Sequence, residues 1–295
     1  MISLQDIQQD NRSGASELLD KAAEFLKEQI DSVDSQRQLQ KTCIDLVRAQ
    51  PRMAPMIHLA DTVMQGLSGD SGLNPCAVVQ VIDIFLEKRR QSQNRIKEHL
   101  RQLIPDGACV GIYSRSSLVI KSLQHCAKHT RFSVCLCESR PMLEGQTAAL
   151  ELLESGIAVT FRVDAGMSAL VNQADLLLVG ADTVQPSAVT NKIGSRVLAL
   201  TAHADGKPLY CAASFDKFLP DDLRQPPEPE HDASQIWDTE LEIEFDTRYF
   251  EEFHPHLLKG LITEQGILSP ESIHDWIPAI HPQLRQALTG PAGYQ

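Results

Sequence analysis

Several features that define other classes of protein are missing from this 295-residue sequence. No apolar run approaches the ~20 residues that a helix needs to cross a bilayer, so we expect no association with a membrane. The amino terminus has neither a basic nor an apolar segment, which predicts no signal peptide and a cytoplasmic location. There is no basic tract and the net charge is −12, so we expect no direct binding of nucleic acid.

Motifs for common cofactors and catalytic groups are missing as well. The sequence has no HExxH spacing, no CxxC pair and no GxGxxG after its first predicted strand, so we expect no metal and no cofactor. The histidines fall mostly on predicted helices or loops, and they give no Ser-His-Asp arrangement. The seven cysteines lie largely in apolar stretches, as buried and reduced thiols do in a cytosolic protein.

The first third of the chain has apolar residues at helical spacing, which predicts a helical N-terminal domain over residues 1–104. Its longest predicted helix begins at Asn74 and Pro75, because asparagine caps a helix well and proline suits the first helical position. That helix ends near Leu103. A Pro-Asp-Gly turn at 105–107 then marks the predicted domain boundary.

From residue 105 onward, short apolar runs alternate with helical segments. This alternation predicts an α/β fold with a mostly parallel sheet flanked by helices, within a second domain over residues 105–295. The continuous apolar run 176–179 predicts a strand that is buried on both faces and lies near the centre of the sheet.

Polar residues follow that central strand. Asp182 comes directly after a Gly-Ala pair, and ligands of open α/β sheets bind at the carboxyl ends of the strands. We predict that Asn191 opens an amphipathic helix, whose N-terminus together with the charge of Lys192 suits a phosphate. The alternative is that Asp182 only caps the loop and Lys192 is a solvated surface lysine.

Two arginines are predicted at the same edge of the sheet. Arg115 follows the first strand and Arg140 follows the second, and each offers a fork of donors to a phosphate. Gly145 begins a helix whose N–H groups can add to this phosphate cradle. The alternative is that Arg140 and Glu138 pair with other protein groups and brace the sheet edge.

Four segments together resemble the initiation factor 2B alpha/beta/delta family: ESRPMLEGQ at 138–146, LLLVGAD at 176–182, NKIG at 191–194 and YFEEFHPHLLKGLITEQGILSP at 249–270. This family includes methylthioribose-1-phosphate isomerase and ribose-1,5-bisphosphate isomerase. The resemblance implies a helical N-terminal domain, a Rossmann-like domain that binds ligand and dimerises, and a pocket sized for a sugar phosphate. The large apolar residues of 249–262 also favour a homodimer or a higher homo-oligomer.

The resemblance also implies roles for individual residues. The catalytic acid of the isomerases matches Asp182. The substrate-binding positions match Gly14 and Ala15 in a phosphate-binding turn, Arg140 and Gly145 in the RPxxxG element, and Asn191 and Lys192 in the NK pair.

Three departures from the family pattern bear on function. The isomerases have a catalytic cysteine after the first strand, where this chain has Ile112 followed by Tyr-Ser-Arg, which is more similar to the alpha subunit of the initiation factor. Glu144 replaces the usual glutamine of the RPxxQG element. The loop between Asp182 and Asn191 is one residue short and has Pro-Ser in place of Asn-Gly.

Two functions from different classes therefore stay open. The first is a regulatory protein similar to the alpha subunit of this translation initiation factor, which binds a phosphorylated sugar or nucleotide without turnover. The second is an intramolecular aldose–ketose isomerase of a pentose 1-phosphate, either ribose 1,5-bisphosphate or methylthioribose 1-phosphate. Isomerisation needs two opposed acid–base groups, and Cys109 is a weak substitute for the missing thiol because it faces away from Ile112. We favour the first.

Overall fold

The computed structural model describes residues 2–10, 15–30, 35–67, 73–223, 228 and 230–289. The helices within these residues are α1 (Leu4–Gln9), α2 (Ala15–Ile30), α3 (Gln36–Ala49), α4 (Ala54–Gly66), α5 (Pro75–Leu103), α6 (Ser117–Cys126), α7 (Glu144–Glu154), α8 (Met167–Gln173), α9 (Ser195–Ala204) and α10 (Pro282–Thr289). The strands are β1 (Cys109–Ile112), β2 (Ser133–Cys137), β3 (Ala158–Arg162), β4 (Leu176–Gly180), β5 (Thr183–Val184), β6 (Val189–Lys192), β7 (Leu209–Ala212), β8 (Phe250–Phe253), β9 (Gly260–Thr263) and β10 (Gly266–Leu268). None of these helices is long and apolar enough to cross a membrane.

The contacts of the chain divide it into two compact units. Unit 1 comprises Met1–Gln91, Asp216–Pro226 and Ile277–Gln295, and unit 2 comprises Ser92–Phe215 and Pro227–Trp276. The predicted domain division after residue 104 stays a prediction.

Unit 1 is helical within its described residues. Helices α2, α3 and α4 pack on one another, and each buries an apolar face that includes Leu19, Leu46 and Leu59. The predicted start of α5 is confirmed: Pro75 is its first residue, and the side-chain oxygen of Asn74 accepts the backbone N–H of Ala77 at 3.2 Å.

Buried polar contacts attach the later segment 216–223 to the helices of unit 1. The Arg89 Nε donates to Oδ2 of Asp216 at 2.8 Å, and the Arg89 Nη2 donates to the Ser16 hydroxyl at 2.9 Å. The Nε2 of His58 lies 2.8 Å from the carbonyl oxygen of Phe218. Because buried charges must be paired, the Arg89–Asp216 contact fixes this segment in place.

Unit 2 contains a seven-stranded sheet in the order β10-β9-β7-β4-β1-β2-β3. Every neighbouring pair is parallel except β9 with β10, so the predicted α/β fold with a mostly parallel sheet is confirmed. The predicted central position of the run 176–179 is confirmed too, since β4 is the fourth of the seven strands and all its residues are buried.

A second, three-stranded antiparallel sheet lies at the end of β4, in the order β5-β6-β8. In its register Asn191 lies beside Glu251, and Lys192 lies beside Phe250. The prediction that Asn191 opens a helix is therefore wrong. Residues 189–192 form strand β6, which pairs with β8 along its whole length and with β5 through Val189 and Thr190, and the helix begins only at Ser195.

Candidate ligand-binding site

Asp182 lies just beyond the carboxyl end of the central strand β4. Its backbone N–H donates to the carbonyl oxygen of Thr190 at 2.9 Å, which joins the strand end to β6. A Cβ at Gly180, the last residue of β4, would lie 2.4 Å from the hydroxyl oxygen of Ser116 at the start of α6. Glycine is required at this position because α6 approaches the strand so closely.

Asn191 and Lys192 are both buried on β6, with 8% and 6% of their surfaces exposed. The interpretation of Lys192 as a solvated surface lysine is therefore wrong. The side-chain amide of Asn191 donates to the hydroxyl of Ser195 at 2.9 Å, so it links β6 to the first turn of α9.

The ammonium group of Lys192 is compensated inside unit 2. Its Nζ lies 2.5 Å from Oε1 of Glu144, the first residue of α7. The ring centroids of Tyr249 and Phe250 lie 5.1 and 4.9 Å from Nζ, within the range of a cation–π contact. One carboxylate and two aromatic rings thus stabilise the ammonium charge of Lys192, which the sequence pattern predicts to bind a phosphate.

The N-terminus of α9 also has an internal anion. The backbone N–H groups of Gly194 and Arg196 donate to Oε1 of Glu251 at 2.6 and 2.8 Å. Gly194 has φ 99°, and a Cβ there would lie 2.2 Å from the hydroxyl oxygen of Tyr113, so only glycine fits. A phosphate at this helix end would have to displace Glu251.

The two predicted phosphate-binding arginines have protein partners. The Nε of Arg115 donates to Oε1 of Glu151 at 2.6 Å. The Nη2 of Arg140 donates to the carbonyl oxygens of Gln235 and Ile236 at 3.0 and 2.7 Å. Arg140 therefore braces a neighbouring segment, as the alternative interpretation expects, although its side chain stays exposed.

Gly145 lies against the end of β2. A Cβ there would be 1.9 Å from the carbonyl oxygen of Cys137, which makes any larger residue impossible without a backbone shift. Its N–H donates to the carbonyl oxygen of Glu138 at 3.1 Å, so that donor is already used inside the protein. Asp164 accepts the backbone N–H groups of Ser139 and Arg140 at 2.9 and 2.7 Å and holds the preceding loop.

The predicted phosphate-binding turn can be located only in part. Gly14 lies outside the described residues, while Ala15 is the first residue of α2. The hydroxyl of the next residue, Ser16, is the one that accepts a hydrogen bond from Arg89.

Ile112, which matches the catalytic cysteine of the isomerases, is 1% exposed and belongs to the apolar core of the large sheet. Cys109 lies at the start of β1, where its backbone N–H donates to the carboxylate of Asp175, so it is remote from the carboxyl edge. Cys137, the last residue of β2, places a thiol at that edge. Burial, and then the charges of Asp164 and Glu138, raise the pKa of Cys137 to about 11.

Sequence reasoning missed Tyr113, Tyr249 and Glu251 as residues of this site. Burial raises the pKa of the Tyr249 phenol, and the charges of Asp232, Glu228 and Glu144 raise it further. Burial and several acidic groups, Glu144 and Glu251 among them, raise the pKa of Tyr113 as well. The signal for Tyr249 and Glu251 is the segment YFEEF at 249–253, which we interpret from the sequence as a dimer surface and not as a strand that borders the site.

Among the described residues, no group of three or more histidine, cysteine, aspartate or glutamate side chains is arranged to hold a metal ion. Within the described part of the chain, His254 and His256 lie close together, with their Nδ1 atoms 2.6 Å apart. This pair lies on the exposed turn after β8. It offers two side chains, which is fewer than the three that such a metal site needs.

The geometry defines a class of protein: an α/β protein with a buried polar site where the central strand of a parallel sheet meets a small antiparallel sheet. Its sequence matches the profile of the Initiation factor 2 subunit family over residues 4–270. The chain therefore belongs to that family, and the resemblance noted from the sequence is confirmed.

Relatives named for different functions are similar to this chain. A putative translation initiation factor eIF-2B subunit 2-like protein of Pyrococcus horikoshii is 30% identical over 222 residues, covering 74% of this chain and 78% of that protein. A ribose 1,5-bisphosphate isomerase of Haloterrigena turkmenica is 26% identical over 284 residues, covering 88% of this chain and 87% of that protein. The eIF2B subunit alpha of Dictyostelium discoideum is 29% identical over 204 residues, which span 64% of this chain and 63% of that protein.

Solved structures give the same result for the fold. A translation initiation factor eIF-2B of Pyrococcus horikoshii superposes with a TM-score of 0.78 and 27% identity, covering 90% of this chain and 95% of that chain. The 5-methylthioribose 1-phosphate isomerase of the same organism superposes with a TM-score of 0.72 at 18% identity, covering 92% of this chain and 85% of that chain. The second similarity shows a shared fold only.

Proposed function

We propose that this chain is a regulatory member of its family, similar to the alpha subunit of the initiation factor, that binds a phosphorylated sugar or nucleotide and does not turn it over. The observation that carries the proposal is the burial of Ile112 in the apolar core. Exchange of an aldose for a ketose needs two opposed groups that move protons between adjacent carbons. Asp182 supplies one group, and the position of the other is apolar.

The proposed ligand site combines Asp182, Asn191 and Lys192 with the loop that contains Arg140 and Gly145. Arg115 is proposed as a contact for phosphate. The phosphate-binding turn at Gly14 and Ala15 stays a prediction from the family resemblance. Several of these groups pair inside the protein, so the ligand would exchange with existing partners, such as the carbonyl oxygens that Arg140 now contacts. We also propose a homo-oligomer in the cytoplasm, as expected from the apolar segment 249–262, and sedimentation at micromolar concentration tests that assembly.

The second candidate is the pentose 1-phosphate isomerase. Similarity to the Haloterrigena turkmenica protein supports it, and so does the thiol of Cys137 at the end of β2. A thiol with a pKa of about 11 stays protonated at neutral pH, so it could only donate a proton. Its complete burial argues against direct contact with a substrate.

The test incubates the purified protein with ribose 1,5-bisphosphate and with methylthioribose 1-phosphate and follows ketose formation. We expect binding by calorimetry but no turnover above background with either compound. Turnover at an ordinary enzymatic rate, lost in Asp182→Asn and reduced in Cys137→Ser, would establish the isomerase instead. An absence of binding to these compounds and to adenosine and guanosine monophosphates would contradict both functions.

A further inference from the structure

The ion pair of Lys192 and Glu144 is held more tightly than a pair at a solvated surface. The Nζ–Oε1 distance is 2.5 Å, and the side chains are 8% and 26% exposed. Tyr249 and Phe250 cover the ammonium group with their rings. Lys192 therefore has an anion beside it before any ligand binds, and its positive charge is balanced by the charge of Glu144.

Three buried oxygens around this pair have no hydrogen-bond partner among the described residues: Oε2 of Glu144, the hydroxyl of Thr190 and the phenol of Tyr249. Thr190 lies two residues before Lys192 on β6, so both side chains face the same side of the strand. Thr190 and Tyr249 are only 1% and 5% exposed. Buried polar atoms are rarely left unpaired, so these three oxygens are available to ordered water or to the hydrogen-bonding groups of a ligand.

The chemistry of the three oxygens distinguishes between two kinds of ligand group. A carboxylate oxygen only accepts hydrogen bonds, while a hydroxyl and a phenol both donate and accept. Sugar hydroxyls can satisfy all three. A phosphate at the same place would bring a second anion against Glu144 in a site where water is largely excluded, and like charges there repel strongly.

We propose that Glu144 occupies the anion-binding position of Lys192, so that this end of the site accepts the hydroxyl groups of a ligand and rejects its phosphate. Glu144 then determines the orientation of the ligand: the phosphate has to lie away from Lys192. The inference rests on the proposed function for the kind of ligand, but the behaviour of the ion pair toward an anion can be measured without knowing that ligand.

The test is calorimetric titration of the full chain with inorganic phosphate. Glu144→Gln keeps the shape of the side chain and removes its charge, and we expect it to bind phosphate at least about tenfold more tightly than the wild type. Glu154→Gln is the matched control, because it makes the same change of net charge at an exposed position at the opposite end of the same helix, α7. We expect that variant to bind phosphate as the wild type does.

The double variant Glu144→Gln with Lys192→Gln identifies where the phosphate binds. We expect the double variant to bind phosphate no more tightly than the wild type does. Two results would overturn the proposal: a gain in phosphate affinity that persists without Lys192, and no gain in phosphate affinity in Glu144→Gln itself. If Glu144→Gln does not fold, wild type and Lys192→Gln are compared: equal phosphate affinities support the proposal, and weaker binding by Lys192→Gln overturns it. A wild type that binds no phosphorylated sugar or nucleotide contradicts the proposed function alone.

Discussion

Each of the two units contains an ion pair with a buried cation, and the two pairs differ in how completely their polar atoms are paired. In unit 1, Arg89 contacts a fully buried Asp216 and also donates to Ser16. In unit 2, Lys192 contacts Glu144, whose second oxygen has no partner among the described residues. The first pair fixes a distant segment of chain to a helix. The second pair leaves a carboxylate oxygen of Glu144 able to accept further hydrogen bonds at the carboxyl edge of the sheet, where ligands of this class of fold bind.

The largest expected effect is on the stability of unit 1. Asp216→Ala leaves the Arg89 guanidinium buried without its counter-charge, so we expect a loss of about 3–5 kcal/mol in the free energy of unfolding. Glu144→Ala should cost less, about 1–3 kcal/mol, because Lys192 keeps its aromatic contacts and the removed side chain is partly exposed. Urea unfolding of both variants measures the difference. An equal cost for both would mean that the two pairs are alike.

A smaller effect concerns the pH dependence of unit 1. Burial lowers the pKa of His58, more than the charge of Asp216 and the hydrogen bond to Phe218 raise it. The unfolded chain therefore takes up a proton below about pH 6.5 that the folded chain does not, and stability falls as the pH falls below that value. The contribution is at most about 1.4 kcal/mol per pH unit. Urea unfolding at several pH values should show that the free energy of unfolding of His58→Gln falls less steeply below pH 6.5 than that of the wild type. An equal pH dependence in the two proteins would contradict this.

The next expected effect is on ligand affinity in unit 2. Lys192→Ala removes the ammonium donor and leaves Glu144 unpaired, so we expect the affinity for ribose 1,5-bisphosphate to fall about tenfold, the lower range for a charged hydrogen bond. Calorimetry with wild type and variant measures it. Arg248→Ala is a suitable control, because Arg248 pairs with Asp246 on the surface. An unchanged affinity in Lys192→Ala would exclude Lys192 from the site.

The smallest effect is expected for Asp182→Asn. The amide keeps the size of the side chain and one oxygen acceptor, so the affinity for ribose 1,5-bisphosphate should stay within about twofold of the wild type. The same calorimetric titration measures this. A loss as large as that of Lys192→Ala would show that the carboxylate charge itself is needed, which the regulatory function does not require.

Much of the fold was predictable because its signals are local. The cap at Asn74, the buried run 176–179 and the alternation of strands and helices all lie within single segments of sequence, and the family motifs placed Asp182 at a strand end. The pairing of Lys192 with Glu144 was not predictable, since the two residues are 48 positions apart and meet only through the tertiary fold. Strand β6 was missed because the partner along its whole length, β8, comes about 60 residues later, and its nearer partner β5 is only two residues long. The helical spacing of 193–200 was therefore extended too far toward the N-terminus.

The contact of Arg140 with the carbonyl oxygens of Gln235 and Ile236 has an optical consequence. The next residue, Trp237, is one of two tryptophans in the chain, and its side chain is 55% exposed. A ligand that draws the guanidinium away would release the backbone beside this indole and change the polarity around it. The protein thus contains its own fluorophore next to a proposed contact, and the emission of Trp237 can report binding without an attached dye.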